Sequence, residues 1–90
     1  MGIEENLMQT IYTNLNELND LQTRIATVIN NWIHQKKTQV PLKEIISTMK
    51  QEGVIEATTI KSIGVLLKKG YIRRSYHPSN KTLFTQLRTL

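Results

Sequence analysis

The sequence has no cysteine, which rules out disulfides and thiolate metal sites within it and fits a reducing cytoplasm. Its two histidines, His34 and His77, have no carboxylate at ligand spacing, so no metal site is indicated. Ser47, Ser62, Ser75 and Ser79 lack the histidine and acid pattern that activates a hydroxyl. The four glycines form no phosphate-cradling loop. Catalysis, a cofactor and a small-molecule ligand are therefore not expected. There is no apolar run long enough to span a membrane and no signal-peptide pattern. A cytoplasmic protein without a membrane role is the expectation. Aromatic residues make up 6% of the chain, so its core must rest mainly on Ile, Leu and Val.

Positive charge is missing from the first twenty residues, which hold Glu4, Glu5, Glu17 and Asp20. All twelve basic side chains lie between Arg24 and Arg88, and the net charge is +5 over 90 residues. That length makes one domain with a modest core. The uneven charge favours a polyanionic partner, because basic side chains displace counterions condensed on phosphate. The acidic beginning is expected to face solvent or protein instead.

Apolar residues recur at Ile3, Leu7, Ile11, Leu15, Leu18, Leu21, Ile25, Val28, Ile29, Trp32 and Ile33. Steps of three and four describe a single helical stripe. At about thirty residues it exceeds the ordinary globular helix of about 11–12. Either one long helix is present, or two meet near residues 16–20, with Asn19 capping the second and Gln22 at the capping-box position. A small domain uses this stripe only from about Leu18 onward. The remainder needs a partner, and a second copy is expected to supply it. Residues 1–19 are thus read as a dimerisation helix or helical extension, with Ile3, Leu7, Ile11, Leu15 and Leu18 as the seam.

Gln39 and Val40 suit a short strand. Pro41 suits the first position of a helix, where its missing donor is harmless. Leu42, Ile45, Ile46 and Met49 keep the helical period, and Gly53 is placed to end it as a left-handed cap. Val54 and Ile55 are expected to pin the turn into the core. A second helix follows from about Ala57 to Lys69, burying Ile60, Ile63, Leu66 and Leu67, with Gly64 on its inner side. Gly70 caps it. Residues 71–84 then read as a twisted hairpin with a basic, aromatic rim.

Helix, turn, helix and hairpin, with the run Lys68-Lys69-Gly70-Tyr71-Ile72-Arg73-Arg74 and a tip containing Pro78, resemble the winged helix-turn-helix of the MarR type over roughly residues 20–87. At the tip, Asn80 and Lys81 stand where that family usually carries Asp and Arg. The resemblance implies a mainly α fold with a small β-hairpin, here with an extended N-terminal helix and a DNA-binding domain over 20–90. The chain is also similar in general character to small winged-helix proteins of Gram-positive mobile elements, some of which bind single-stranded DNA beside replication genes.

In such a domain the second helix faces DNA. Its expected outward positions are Thr58, Thr59, Lys61, Ser62, Val65, Lys68 and Lys69, which include no Arg, Asn or Gln. Those three are the residues, with Lys, that read base edges best. Hydroxyls and lysines suit phosphate, which positions a protein but carries no sequence. On the hairpin, Arg73, Arg74 and Lys81 alternate with Tyr71, Tyr76, His77 and Phe84, and cations beside aromatic faces suit unstacked bases. Tyr76 and His77 near the tip are the expected contacts, whereas Phe84 is expected in the core. Lys36 and Lys37 have a local role at a helix C-terminus. The expected function is low-specificity DNA binding, preferably to single strands, as a replication or mobile-element accessory factor. The alternative is a dimeric transcriptional regulator that binds duplex DNA.

Overall fold

The computed structural model describes residues 18–79 and 81–88 of the chain. Helix α1 spans Asp20–Lys36. Asn19 starts it in extended conformation, its side chain accepting from the Gln22 amide at 2.8 Å. The Gln22 side chain accepts from the Asn19 amide at 3.1 Å in return. Two otherwise orphaned donors are thereby satisfied. A helix therefore begins here, and Leu18 precedes it. The expected seam residues Ile3, Leu7, Ile11 and Leu15 lie outside the described residues.

Strand β1, Val40–Pro41, leads into α2, Leu42–Gln51, and α3, Glu56–Lys68. Strands β2, Ile72–Tyr76, and β3, Thr82–Gln86, form an antiparallel hairpin. β1 pairs with the other side of β3, giving the order β1-β3-β2. The domain is thus three helices against a three-stranded antiparallel sheet. Pro41 stands at the end of β1 and caps α2 in extended conformation, rather than opening the helix. An edge strand tolerates proline because an edge donor is dispensable.

Both α2 and α3 close in the same way. Gly53, at φ +86°, lets its amide reach the Lys50 carbonyl (3.0 Å) and the Val54 amide reach Met49 (2.9 Å). Gly70, at φ +79°, does the same for Leu67 (3.1 Å) and Leu66 (3.0 Å, from Tyr71). These are Schellman closures, in which left-handed glycine turns the chain and the next apolar residue packs back. The second one drops Tyr71 and Ile72 into the core and so launches the hairpin. Ile25, Ile29, Val40, Ile45, Leu66 and Phe84 form the centre. Full burial of such side chains contributes about 1.5–3 kcal/mol each.

Three expectations are corrected here. Leu18 is 7% exposed and belongs to this core, because the chain folds it onto the domain just before the capping box. It is not a free seam residue. On α3, Ile63 and Leu66 are buried and Leu67 packs on the core as expected, but Thr59 and Ser62 are buried as well and Ile60 is 47% exposed. Gly64 consequently points outward, where an added Cβ would meet nothing within 4 Å. Only Val54 packs in the turn, and Ile55 is 67% exposed.

Candidate nucleic-acid interface

The hairpin register sorts the rim residues by face. Arg74 is opposed to Phe84 and Tyr76 to Thr82, whereas Arg73 opposes Thr85 and Ser75 opposes Leu83. Directly opposed residues share a face, and neighbours along a strand alternate. Arg74 and Tyr76 therefore lie together, and Arg73 lies on the reverse side. The Arg74 guanidinium sits 5.7 Å from the Tyr76 ring centroid, within cation–π range. Tyr76 is nonetheless 69% exposed, so much of the ring is open. On the reverse face the Ser75 hydroxyl donates to Gln39 Oε1 at 3.0 Å, tying β2 to the residue before β1.

At the tip, the His77 amide donates to the Lys81 carbonyl at 2.9 Å. The Ser79 amide donates to His77 Nδ1 at 3.1 Å, with Ser79 Oγ 2.7 Å from the same nitrogen. An amide can only donate, so Nδ1 is an acceptor here and its ring organises the turn. His77 is exposed but half engaged. Asn80 lies outside the described residues. Tyr71 and Phe84 are buried; the Arg88 guanidinium covers the Tyr71 ring at 4.1 Å.

On α3, Thr58, Lys61 and Lys68 are exposed and follow one another in steps that keep them on one face. Lys69 is exposed at the C-cap, and its carbonyl accepts from Arg88 Nη1 at 3.4 Å. Thr59 and Ser62, expected to face DNA, are turned inward and out of a ligand's reach. Thr59 is fully buried and its hydroxyl has no hydrogen-bond partner among the described residues.

Acidic groups temper this surface unevenly. Glu52 is engaged by Arg24 in a two-pronged pair, Nε to Oε1 at 2.8 Å and Nη2 to Oε2 at 2.7 Å. The hydrogen bond from Arg24, aided by its charge, lowers the Glu52 pKa, and the pair raises that of Arg24. The ion pair fastens α1 to the end of α2.

An open groove of about 980 Å³ runs between α2 and the start of β3. Lys43 and Lys50 from α2 and Lys81 from the hairpin line it, together with Glu44 and Glu56. The sequence reading passed over Lys43 and Lys50. Their spacing of seven residues, which puts both on one side of a helix, was the available signal. Among the described residues, no cluster of three or more His, Asp or Glu is placed to hold a metal ion, and no helix is long and apolar enough to cross a membrane. No protein-family model, curated protein or solved structure matches this chain.

Proposed function

We propose that this chain is a cytoplasmic winged helix-turn-helix protein that binds DNA with low sequence specificity and favours single strands. In this reading α2 and α3 are the helix pair, and β2–β3 is the wing. Tyr76 is the observation that carries it: an aromatic ring largely open to solvent, held beside Arg74 on one face of the hairpin. An open π-face next to a cation accepts any unstacked base and anchors its phosphate. The inward turn of Thr59 and Ser62 supports low specificity, since it leaves Lys61 and Lys68 as the main polar groups on the outer face of α3. The reading includes an accessory role in replication or element maintenance, without enzymatic activity. A homodimer through residues 3–15 completes the reading.

A second reading is a dimeric regulator of transcription on duplex DNA. Thr58, Lys61 and Lys68 on one open face of α3 favour it, because that is the face such a helix presents to a major groove.

Fluorescence anisotropy with labelled single-stranded and duplex oligonucleotides of equal length, at low and moderate salt, separates the two. Single strands are expected to bind more tightly, whatever their sequence, and to survive moderate salt. Tyr76→Ala is expected to weaken that binding between about fivefold and about a hundredfold, the equivalent of one stacked base. Gln35→Ala, on an exposed position of α1, should change nothing. Weak, salt-fragile binding to both forms would favour the regulator and call for selection from random duplexes.

A further inference from the structure

The groove beside α2 carries a more specific reading than the hairpin does alone. One wall is the exposed side of α2, with Lys43, Ser47 and Lys50; the other is the hairpin, with Lys81 and Thr82. Pro41, Leu42 and Ile46 contribute an apolar floor. Thr82 is the direct cross-strand partner of Tyr76. Since opposed residues share a face, Tyr76 and its neighbour Arg74 stand beside the groove's hairpin wall without lining the groove themselves. None of the outward residues of α3 beyond Glu56 lines it.

We infer that a single strand of nucleic acid lies in this groove, its bases turned toward the apolar floor and its phosphates along Lys43, Lys50 and Lys81. The inference rests on the DNA-binding reading and adds α2, rather than α3, to the hairpin as the surface that holds the phosphates. The mixture of groups selects the ligand. Three lysines attract phosphate, but Glu44 and Glu56 repel it, so a purely anionic ligand gains little. A strand with exposed bases is served by both: carboxylates accept from base amino groups such as that of cytosine, and the apolar floor takes base faces. In a duplex those faces are stacked away. Lys43 and Lys50 stand about 10 Å apart along the helix, which lets them hold successive parts of one extended backbone.

The test compares two double variants of the full chain, Lys43→Gln with Lys50→Gln and Lys61→Gln with Lys68→Gln. All four positions are exposed, so both variants should match the wild-type melting temperature. Binding to a labelled mixed-sequence single strand is measured across a salt series. The groove variant is expected to bind at least tenfold more weakly, with a salt slope shallower by about 1.4, the loss of two phosphate contacts on single strands. The α3 variant should lose clearly less affinity than the groove variant. The reverse pattern would put the strand on α3 and overturn the proposal. Two unaffected variants alongside a wild type that binds single strands would overturn the groove while leaving the DNA reading intact. A wild type that binds no single strand would remove both. If the groove variant keeps its affinity but loses self-association in the ultracentrifuge, the groove instead holds the acidic N-terminal segment of a second copy, and the proposal fails.

Discussion

Replacing Thr59 by Val tests the orientation of α3 on which the interface depends. The side chain is fully buried, and its hydroxyl has no hydrogen-bond partner among the described residues. Burying a hydroxyl without a partner costs about 1–3 kcal/mol in protein mutational series. Valine keeps the branched shape, and its helix propensity is close to that of threonine. The exchange should therefore stabilise the domain by about 1–2 kcal/mol. For a domain of this size each kcal/mol moves the melting temperature by about 4–8 °C. Urea unfolding and calorimetry should both report the gain, the former as a higher midpoint at unchanged m-value. Affinity for DNA should not move, because the residue is out of reach. A loss of stability beyond about 1 kcal/mol would mean that the hydroxyl is bonded in solution. A loss of DNA affinity at unchanged stability would mean that α3 faces the other way, as its sequence first suggests.

The same chemical change should have opposite signs at two glycines. Gly64→Ala adds a methyl to open space on a helix interior and should stabilise by about 0.5–1 kcal/mol. Gly70→Ala forces alanine to φ +79° and should destabilise by about 1–2 kcal/mol in the same denaturation assay. The Arg24–Glu52 pair predicts an acid dependence. Because the Glu52 pKa is lowered in the folded state, first by the hydrogen bond from Arg24, its contribution is present above the ordinary glutamate value of about 4.3. It is lost as pH falls through the folded value. Arg24→Gln should thus flatten the fall in melting temperature on acidification, and an unchanged profile would mean that the pair does not persist in solution. For the proposed dimer, Leu7→Lys with Ile11→Lys should sediment as a monomer; a persistent dimer would place the seam elsewhere.

The elements were legible in the sequence wherever a local, one-dimensional signal specifies the backbone. Asn19 and Gln22 announce a helix start because both hydrogen bonds form within one turn, and they form as expected. Gly53 and Gly70 announce helix ends because few other residues adopt positive φ there, and both do. What the sequence obscured was part of the buried face of a helix. In α3 the apolar residues Ile60, Ile63, Leu66 and Leu67 invite one stripe, yet the buried one is Thr59, Ser62, Ile63 and Leu66. Hydrophobicity alone does not announce that small hydroxyl side chains are buried beside Ile63 and Leu66. The candidate site suffered similarly. Arg73 and Arg74 read as one basic patch, but the strand sends them to opposite faces. The spacing of Lys43 and Lys50 marks one side of a helix, but only the fold sets the hairpin across from it.

Helices α2 and α3 divide their work unequally. A helix that reads bases normally shows its polar side to solvent and its apolar side to the core. Here α3 holds two hydroxyl residues inside and leaves Ile60 outside, with Ile55 exposed just before it. Its contacts run to α1, to α2 and to β2, so it behaves as the central strut of the domain. Its Schellman exit at Gly70 aims the hairpin, and that hairpin brings Lys81 and Thr82 across from α2. A helix so thoroughly committed to holding its neighbours has few side chains left for reading bases. On the proposed reading a strand binds where two elements distant in sequence converge, between α2 and the hairpin, and α3 packs against both.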